Sequence, residues 1–490
     1  MGRNIAVVGS GIGGIATAVR LSIKGYHVTV FEANDYPGGK LSEFSNGSFR
    51  FDAGPSLFTM PYYVDELFEL AGENPRDWFN YKKLDVICKY FYEDGTELVA
   101  YADNDKFAEE VEDKTGEPKE NVLKALDNSR FLYKYLGDLF IRRPIHSIKT
   151  FISKDAIKSY LRIFKLDFFR SMNAANQSLF QSEKVVQLFN RYATYNGSDP
   201  YKTPATMNII PHLEFNEGAY FPIKGMHDIT MSLYELAKRK GVNFEFGKKI
   251  SRIVVEDKKA VGVLIDDQVL KFDSVVSNMD VVNTYRKLLP NQKQPDFLLN
   301  QPKSSSALIF YWGIVGRFPS MELHNIFFSE NYREEFDRIF NKGDIYHDPT
   351  VYVNITSKHK ADDAPESHEN WFTMINVPNN DGQDWKQLVS EARANVISKL
   401  SSILKVDIAE KIVCEEILDP VIIESKTSSS KGALYGNSSN NKYAAFLRHA
   451  NFSRKIKGLY FCGGSVHPGG GIPLSLSSAK LVADHFPHLD

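Results

Sequence analysis

A glycine-punctuated run near the start constrains this chain more than any other feature. "NIAVVGSGIGGIATAVRLSIKGYHVTVFEA" reads as an apolar strand, a glycine turn, an amphipathic helix and a second strand ending in an acid. A unit of this kind aims free N–H groups and the positive end of a helix dipole at a phosphate. Gly9 permits the tight turn, Gly11 lets backbone approach a pyrophosphate, Gly13 belongs to the same cradle, and Gly14 allows close helix packing. Glu32, with Ala33 behind it, falls about 20 residues beyond the glycines, where a carboxylate takes ribose hydroxyls. The flanking elements agree with the spacing, so the run predicts a Rossmann-type dinucleotide site and an α/β fold.

The residues that follow decide between dinucleotides. A Gly38-Gly39 doublet and Lys40 come after the acid, then "FDAGPS" with Gly54, Pro55 and Ser56. An NAD site does not need this extension. Taken alone, the doublet reads as a surface turn; taken with what precedes it, it resembles the two-part flavin signature of the amine-oxidase and carotene-desaturase superfamily. Far downstream, "GGSVHPGGGIPLSLSSAK" follows a predicted strand at 458–462 and leads into a helix whose small first turn is read as Ser475, Ser477, Ser478 and Ala479. Gly464, Ser465, Gly471 and Ile472 would let a flat ring lie against backbone at a helix N-terminus, which stabilises negative charge on a reduced ring. A phosphate site or a mobile connection are the alternatives for this loop by itself. A second GxGxxG is missing downstream, so no separate nicotinamide domain is expected, and the electrons are expected to go to oxygen or a quinone.

At 490 residues the chain is too long for one ordinary core, and two or more connected domains are expected. A formal net charge of −2 gives no general attraction to nucleic acid, which is excluded as a partner. Three cysteines, Cys88, Cys414 and Cys462, lie far apart without CxxC spacing, so neither a disulfide framework nor a metal site is expected. "MGRNIAVVGSG" enters a strand directly, without the pattern of a signal peptide, and a cytoplasmic protein is expected. "SSSALIFYWGIVG" is too short to span a bilayer.

These motifs, with "EGAYFPIKGMHDITMSL", "VVSNMD", "SSSALIFYWG" and "HNIFFS", come in order along nearly the whole chain. In that arrangement the sequence resembles the bacterial-type phytoene desaturase family of FAD-dependent carotenoid desaturases and isomerases. The last glycine loop is more similar to that of the 1-hydroxycarotenoid 3,4-desaturases than to that of the phytoene desaturases. The resemblance implies FAD as cofactor and a carotenoid as substrate, with backbone near Ile250 at the adenine end and Asn278 at the flavin site. It also implies an interleaved architecture: an FAD-binding domain from 1–80, 217–289 and 446–490, and an α+β substrate domain from 81–216 and 290–445. One departure stands out, since Ser465 occupies the place where many flavin enzymes carry an acid for the ribityl chain.

In the middle of the chain a helix is predicted over 226–240, with strands near 250–255 and 260–265. "FISKDAIKSYLRIFKLDFFRSM" places Ile157, Leu161, Phe164, Phe168 and Met172 on one helical stripe, flanked by Lys158, Arg162 and Lys165. Ten basic residues against three acids lie between 130 and 170. A basic amphipathic helix over 155–172 fits a peripheral anchor on the inner face of an anionic membrane, within a helical part near 130–200. A core helix with a solvated basic face has the same pattern.

For a carotenoid, desaturation needs loss of an allylic hydride to a flavin and then a proton from the next carbon, so no strong acid–base dyad is required. His467 is the candidate for the residue beside the ring, positioning substrate, accepting that proton through water, or holding the loop in shape; Asp52 is a weaker candidate with a structural role at its turn. An isomerase, a phytoene desaturase, an amine oxidase and a non-catalytic prenyl-lipid escort protein are the competing functions.

Overall fold

The computed structural model describes residues 3–146, 166–441, 443–444 and 446–489. At its base lies a parallel sheet of five strands in the order Asn243–Glu245, His27–Phe31, Asn4–Val8, Ser274–Ser277, Leu459–Phe461. The unbroken apolar run Ile5–Val8 of the Asn4–Val8 strand follows from burial on both faces. Ile5 and Val7 point to a helical layer, and Ala6 and Val8 to the opposite side. The helical layer is made by Ile12–Ile23, packed against both Asp228–Arg239 and Ile472–Ala483. The other face is covered by an antiparallel sheet of Arg252–Glu256, Lys259–Ile265 and Gln268–Lys271. The predicted middle helix thus starts two residues late, at Asp228, and the strand expected from 250 starts at Arg252, leaving Ile250 in the connection before it.

Above this base stands a seven-stranded sheet in the order Ile412–Leu418, Ser306–Val315, His368–Val377, Val351–Asn354, His324–Phe327, Val86–Phe91, Glu97–Tyr101. Only the pairing of His324–Phe327 with Val86–Phe91 is parallel. In its central strands the side chains alternate between two faces. Leu308, Phe310, Trp312, Trp371 and Ile375 form a core with Val396 and Leu400 of the Trp385–Leu404 helix. Ile309, Tyr311, Phe372 and Met374 face the other way, with Ile309 opposite Met374 and Tyr311 opposite Phe372. That second face is the wall that matters for function. A small sheet of Phe58–Thr59, Ala219–Pro222 and Tyr81–Lys83 joins the two parts.

Most of the basic stripe, Ile157, Lys158, Leu161, Arg162, Phe164 and Lys165, lies outside the described residues. Its C-terminal end does not continue as one helix to Met172. Asp167 has φ of +51°, and Ser171 caps a new helix, Met172–Gln177, by accepting the Ala174 N–H at 3.2 Å. Met172 is a core residue, whereas Phe169 is 81% exposed. Among the described residues, no helix is long and apolar enough to cross a membrane.

Candidate active site

The glycine turn and the late glycine loop meet across one side chain. A Cβ on Gly11 would stand 2.6 Å from Asn278 Oδ1, and one on Gly463 would stand 2.6 Å from Asn278 Nδ2. A Cβ on Gly13 would lie 2.9 Å from Asn278 Nδ2 and 3.1 Å from Gly463 Cα, so a side chain at any of the three would displace the Asn278 amide. Gly14 faces away from the cavity and meets the Gly9 carbonyl, 2.2 Å from where its Cβ would be, which sets the helix down on the turn. Gly9, with φ of +94°, donates its N–H to the Phe31 carbonyl at 2.8 Å. Gly38 has φ of +105°, and its N–H donates to the Ser10 carbonyl at 2.9 Å, bringing the Gly38-Gly39-Lys40 turn beside the first one.

Glu32 is held by four donors. Oε2 accepts the N–H and the hydroxyl of Ser10 at 2.8 and 2.9 Å, and Oε1 accepts the N–H and the amide of Asn34 at 2.9 and 3.0 Å. The motif marks the acid and not the donors that aim it, so the sequence pattern does not point to Ser10 or Asn34. The Lys248 N–H donates to the Glu32 carbonyl, which sets residues 248–251 beside it. The backbone N–H and carbonyl of Ile250 make no hydrogen bond among the described residues, and Ile250 lines the cavity. A heteroaromatic edge with one donor and one acceptor is what such a backbone can hold.

Lys40 reaches the Ala433 and Leu434 carbonyls at 3.1 and 2.8 Å. Lys303 donates to Asn437 at 2.8 Å, and Asp280, between the two cations, accepts the Val282 N–H at 2.9 Å. Burial lowers both lysines to about 8 and raises the Asp280 carboxyl, while attraction between them opposes each change.

The late loop runs from the Leu459–Phe461 strand to the Ile472–Ala483 helix, whose first turn is Ile472, Pro473, Leu474 and Ser475. The small residues read as the first turn therefore belong mostly to the second. Ser478 accepts the Gly463 N–H at 3.1 Å, and Ser477 donates to the Ile141 carbonyl at 2.6 Å, so these hydroxyls fasten the helix to its surroundings. The N-terminus itself is open, behind Gly471 with φ of +105°. Ser465 accepts the Val281 N–H at 2.9 Å. His467 is 1% exposed, its Nε2 is 2.8 Å from the Arg143 carbonyl, and burial lowers it to about 4. A neutral ring that donates from Nε2 to this carbonyl retains Nδ1 as its acceptor. Asp52 is outside the cavity: it accepts the Met226 and His227 N–H groups at 3.0 and 2.9 Å and pairs with Arg50 at 2.8 Å.

All these elements surround one cavity of about 1680 Å³. Every predicted cofactor residue except Gly14 lines it, as does His467. Its volume exceeds the roughly 300–1,000 Å³ of an ordinary ligand pocket, so it has room for a dinucleotide and a second large ligand. Beyond the glycine loops the wall is the free face of the seven-stranded sheet, Ile309, Tyr311, Ile326, Phe372 and Met374, with Leu213 and Met207 opposite. At one margin are Phe140, Phe168 and Phe446; elsewhere the lining includes buried Arg191, Glu214 and His324. None of these last three was identified as a site residue from the sequence, although His324 opens the "HNIFFS" stretch.

Paired glycine turns, an open helix N-terminus and an acid held toward a shared cavity define a flavin-dinucleotide oxidoreductase fold. The chain belongs to the flavin containing amine oxidoreductase family, whose model matches residues 12–485. Over 99% of both chains it is 50% identical to the 1-hydroxycarotenoid 3,4-desaturase of Flavobacterium sp.. It is 30% identical to the phytoene desaturase of Fusarium fujikuroi, over 98% of this chain and 89% of that one. Among solved structures, an oxidoreductase from Methanosarcina mazei matches the fold with a TM-score of 0.64 at 15% identity, over 98% of this chain and 100% of that one. The protein is an FAD-dependent oxidoreductase, and the cradle it offers fits that cofactor.

Proposed function

We propose that this protein introduces a C=C bond at the 3,4 position of a 1-hydroxylated acyclic carotenoid. The observation that carries this reading is the 50% identity to a 1-hydroxycarotenoid 3,4-desaturase over 99% of both chains, in a protein whose flavin cradle shares one large cavity with the apolar face of the seven-stranded sheet. Bound FAD would supply the two-electron acceptor for a hydride lost from an allylic C–H bond of the substrate. The protein's share is to hold the polyene against the Tyr311, Phe372 and Met374 face, to exclude water, and to leave a neutral acceptor for the proton lost from the adjoining carbon. His467 Nδ1 is our candidate for that acceptor, through water. Oxygen or a quinone is the proposed acceptor of the electrons.

Entry from a membrane fits the same geometry. Phe140, Phe168 and Phe446 line one margin of the cavity, and Phe169, Tyr443 and Phe446 are exposed at 81%, 59% and 42%. Exposed aromatics at a cavity margin suit a peripheral protein drawing an apolar rod out of the bilayer, here from the cytoplasmic face.

The test uses cells that accumulate a 1-hydroxylated carotene, with and without this chain, and reads the absorption spectrum of extracted pigment. A maximum displaced to longer wavelength is the expected result. An unmoved maximum with an altered cis band shows isomerisation instead, and an unchanged spectrum overturns the reading.

A further inference from the structure

Three polar atoms of cavity-lining residues are buried and have no protein partner among the described residues: His324 Nε2, Arg191 Nε and Asn196 Oδ1. His324 differs from the other two in being tied to the flavin side of the cavity. Its Nδ1 lies 2.7 Å from the Tyr352 hydroxyl, and that hydroxyl lies 2.7 Å from Ser56 Oγ, on the turn that follows the Gly38-Gly39-Lys40 segment. His324 is thus two hydrogen bonds from a predicted flavin contact.

The same partners fix its tautomer. Asn354 Nδ2 donates to the Leu323 carbonyl at 3.0 Å and lies 3.1 Å from His324 Nδ1, which therefore accepts. The ring is 3% exposed, and burial, helped by the neighbouring His359 and Arg191, lowers it to about 3, so it is neutral. Its one proton sits on Nε2, leaving the ring an unspent donor; among the cavity-lining residues the other buried donor without a partner is Arg191 Nε. A buried N–H of this kind costs free energy until something accepts from it.

We propose that His324 determines specificity for the hydroxylated end of the substrate, its Nε2–H donating a hydrogen bond to the C1 hydroxyl oxygen; this rests on the function proposed above. Only C2 separates C1 from the C3–C4 bond, so a group that reads the hydroxyl has to stand close to the flavin. The short relay through Tyr352 to Ser56 places His324 accordingly, and the Arg191–Glu214 pair, although polar, spends much of its capacity on Tyr90 and Tyr192. An acyclic carotenoid with an unmodified end leaves the donor unsatisfied and is discriminated against.

The experiment compares the FAD-loaded protein with its His324→Phe and His324→Gln variants, each acting on a 1-hydroxylated carotene and on the same polyene without the hydroxyl. The expected result is a wild-type preference in kcat/KM for the hydroxylated compound of about ten- to hundredfold. His324→Phe loses that preference while retaining flavin, and His324→Gln, which keeps an N–H donor, restores part of it. A preference that survives in His324→Phe overturns the inference and leaves 3,4-desaturation standing; equal use of both polyenes by the wild type does the same. No desaturation of either compound by the wild type overturns the proposed function itself. If the variants lose flavin, a carotenoid with a photoreactive group at C1 decides on the wild type: cross-linking to the peptide containing His324 supports the inference, and cross-linking only near Phe140 or Phe446 overturns it.

Discussion

Gly54 and Lys40 are packed backbone to backbone, so that a Cβ on Gly54 would stand 1.8 Å from the Lys40 carbonyl oxygen. The contact joins two turns that are separate motifs in the sequence and fixes how far each projects into the cavity. Gly54→Ala is expected to destabilise the flavin-loaded protein by about 3 kcal/mol, the upper end for overpacking because backbone and not a side chain has to move. Gly47→Ala, at φ of +59° with nothing within 4 Å, is the control and is expected to cost about 1 kcal/mol from backbone strain alone. Thermal release of flavin fluorescence measures both.

Glu32→Gln removes a charge that four donors hold in place, including the buried N–H of Ser10. The variant is expected to bind FAD at least about tenfold more weakly, since hydrogen bonds to charged groups contribute roughly 1.5–3 kcal/mol. Titration of flavin-free protein with FAD checks this, and an unchanged Kd removes Glu32 from the ribose site.

Three buried histidines set an acid limit. Burial lowers His324 to about 3 and His449 and His467 to about 4, against an unfolded value of about 6.5. Between these values the unfolded chain binds more protons than the folded one, so stability is full above about pH 6.5 and falls as the pH drops toward 4. Each histidine contributes a slope of up to about 1.4 kcal/mol per pH unit in that window. Urea denaturation of the flavin-loaded protein from pH 7 to 4.5 is expected to show uptake of about three protons on unfolding from this source.

The exposed aromatics at the cavity margin give a separable prediction. Phe169→Glu combined with Tyr443→Glu, at exposed positions that do not line the cavity, is expected to lower recovery on anionic liposomes severalfold, because both apolar burial and charge attraction are lost. Turnover of substrate presented in detergent is expected to change little. Undiminished flotation with liposomes would remove this margin from the membrane contact.

What the sequence revealed, it revealed through local geometry. Gly9, Gly11, Gly38 and Gly471 mark conformations or approaches that other residues cannot reach, and each is found where such a requirement exists. The late helix was placed one turn too far along because Ser475, Ser477 and Ser478 look like a small first turn, whereas the chain begins its helix at Ile472 with Pro473 in a position that needs no amide donor. The inner polar groups were not legible at all. His324, Tyr352, Arg191 and Glu214 come from separate segments and are assembled by pairings such as Ile326 with both Tyr352 and Tyr90, which have no local signature. Asp167 shows the opposite failure: a good helical period carried the reading across a residue whose backbone interrupts it.

The meeting of Gly13 with Gly463 through Asn278 also bears on how the protein is made. During synthesis the first glycine turn leaves the ribosome some 450 residues before its counterpart. The Leu459–Phe461 strand is made some 180 residues after the Ser274–Ser277 strand beside which it adds to the sheet. Until then the nascent chain carries half a cradle and an unpaired parallel edge, so the cofactor site is complete only when the last sheet strand has docked.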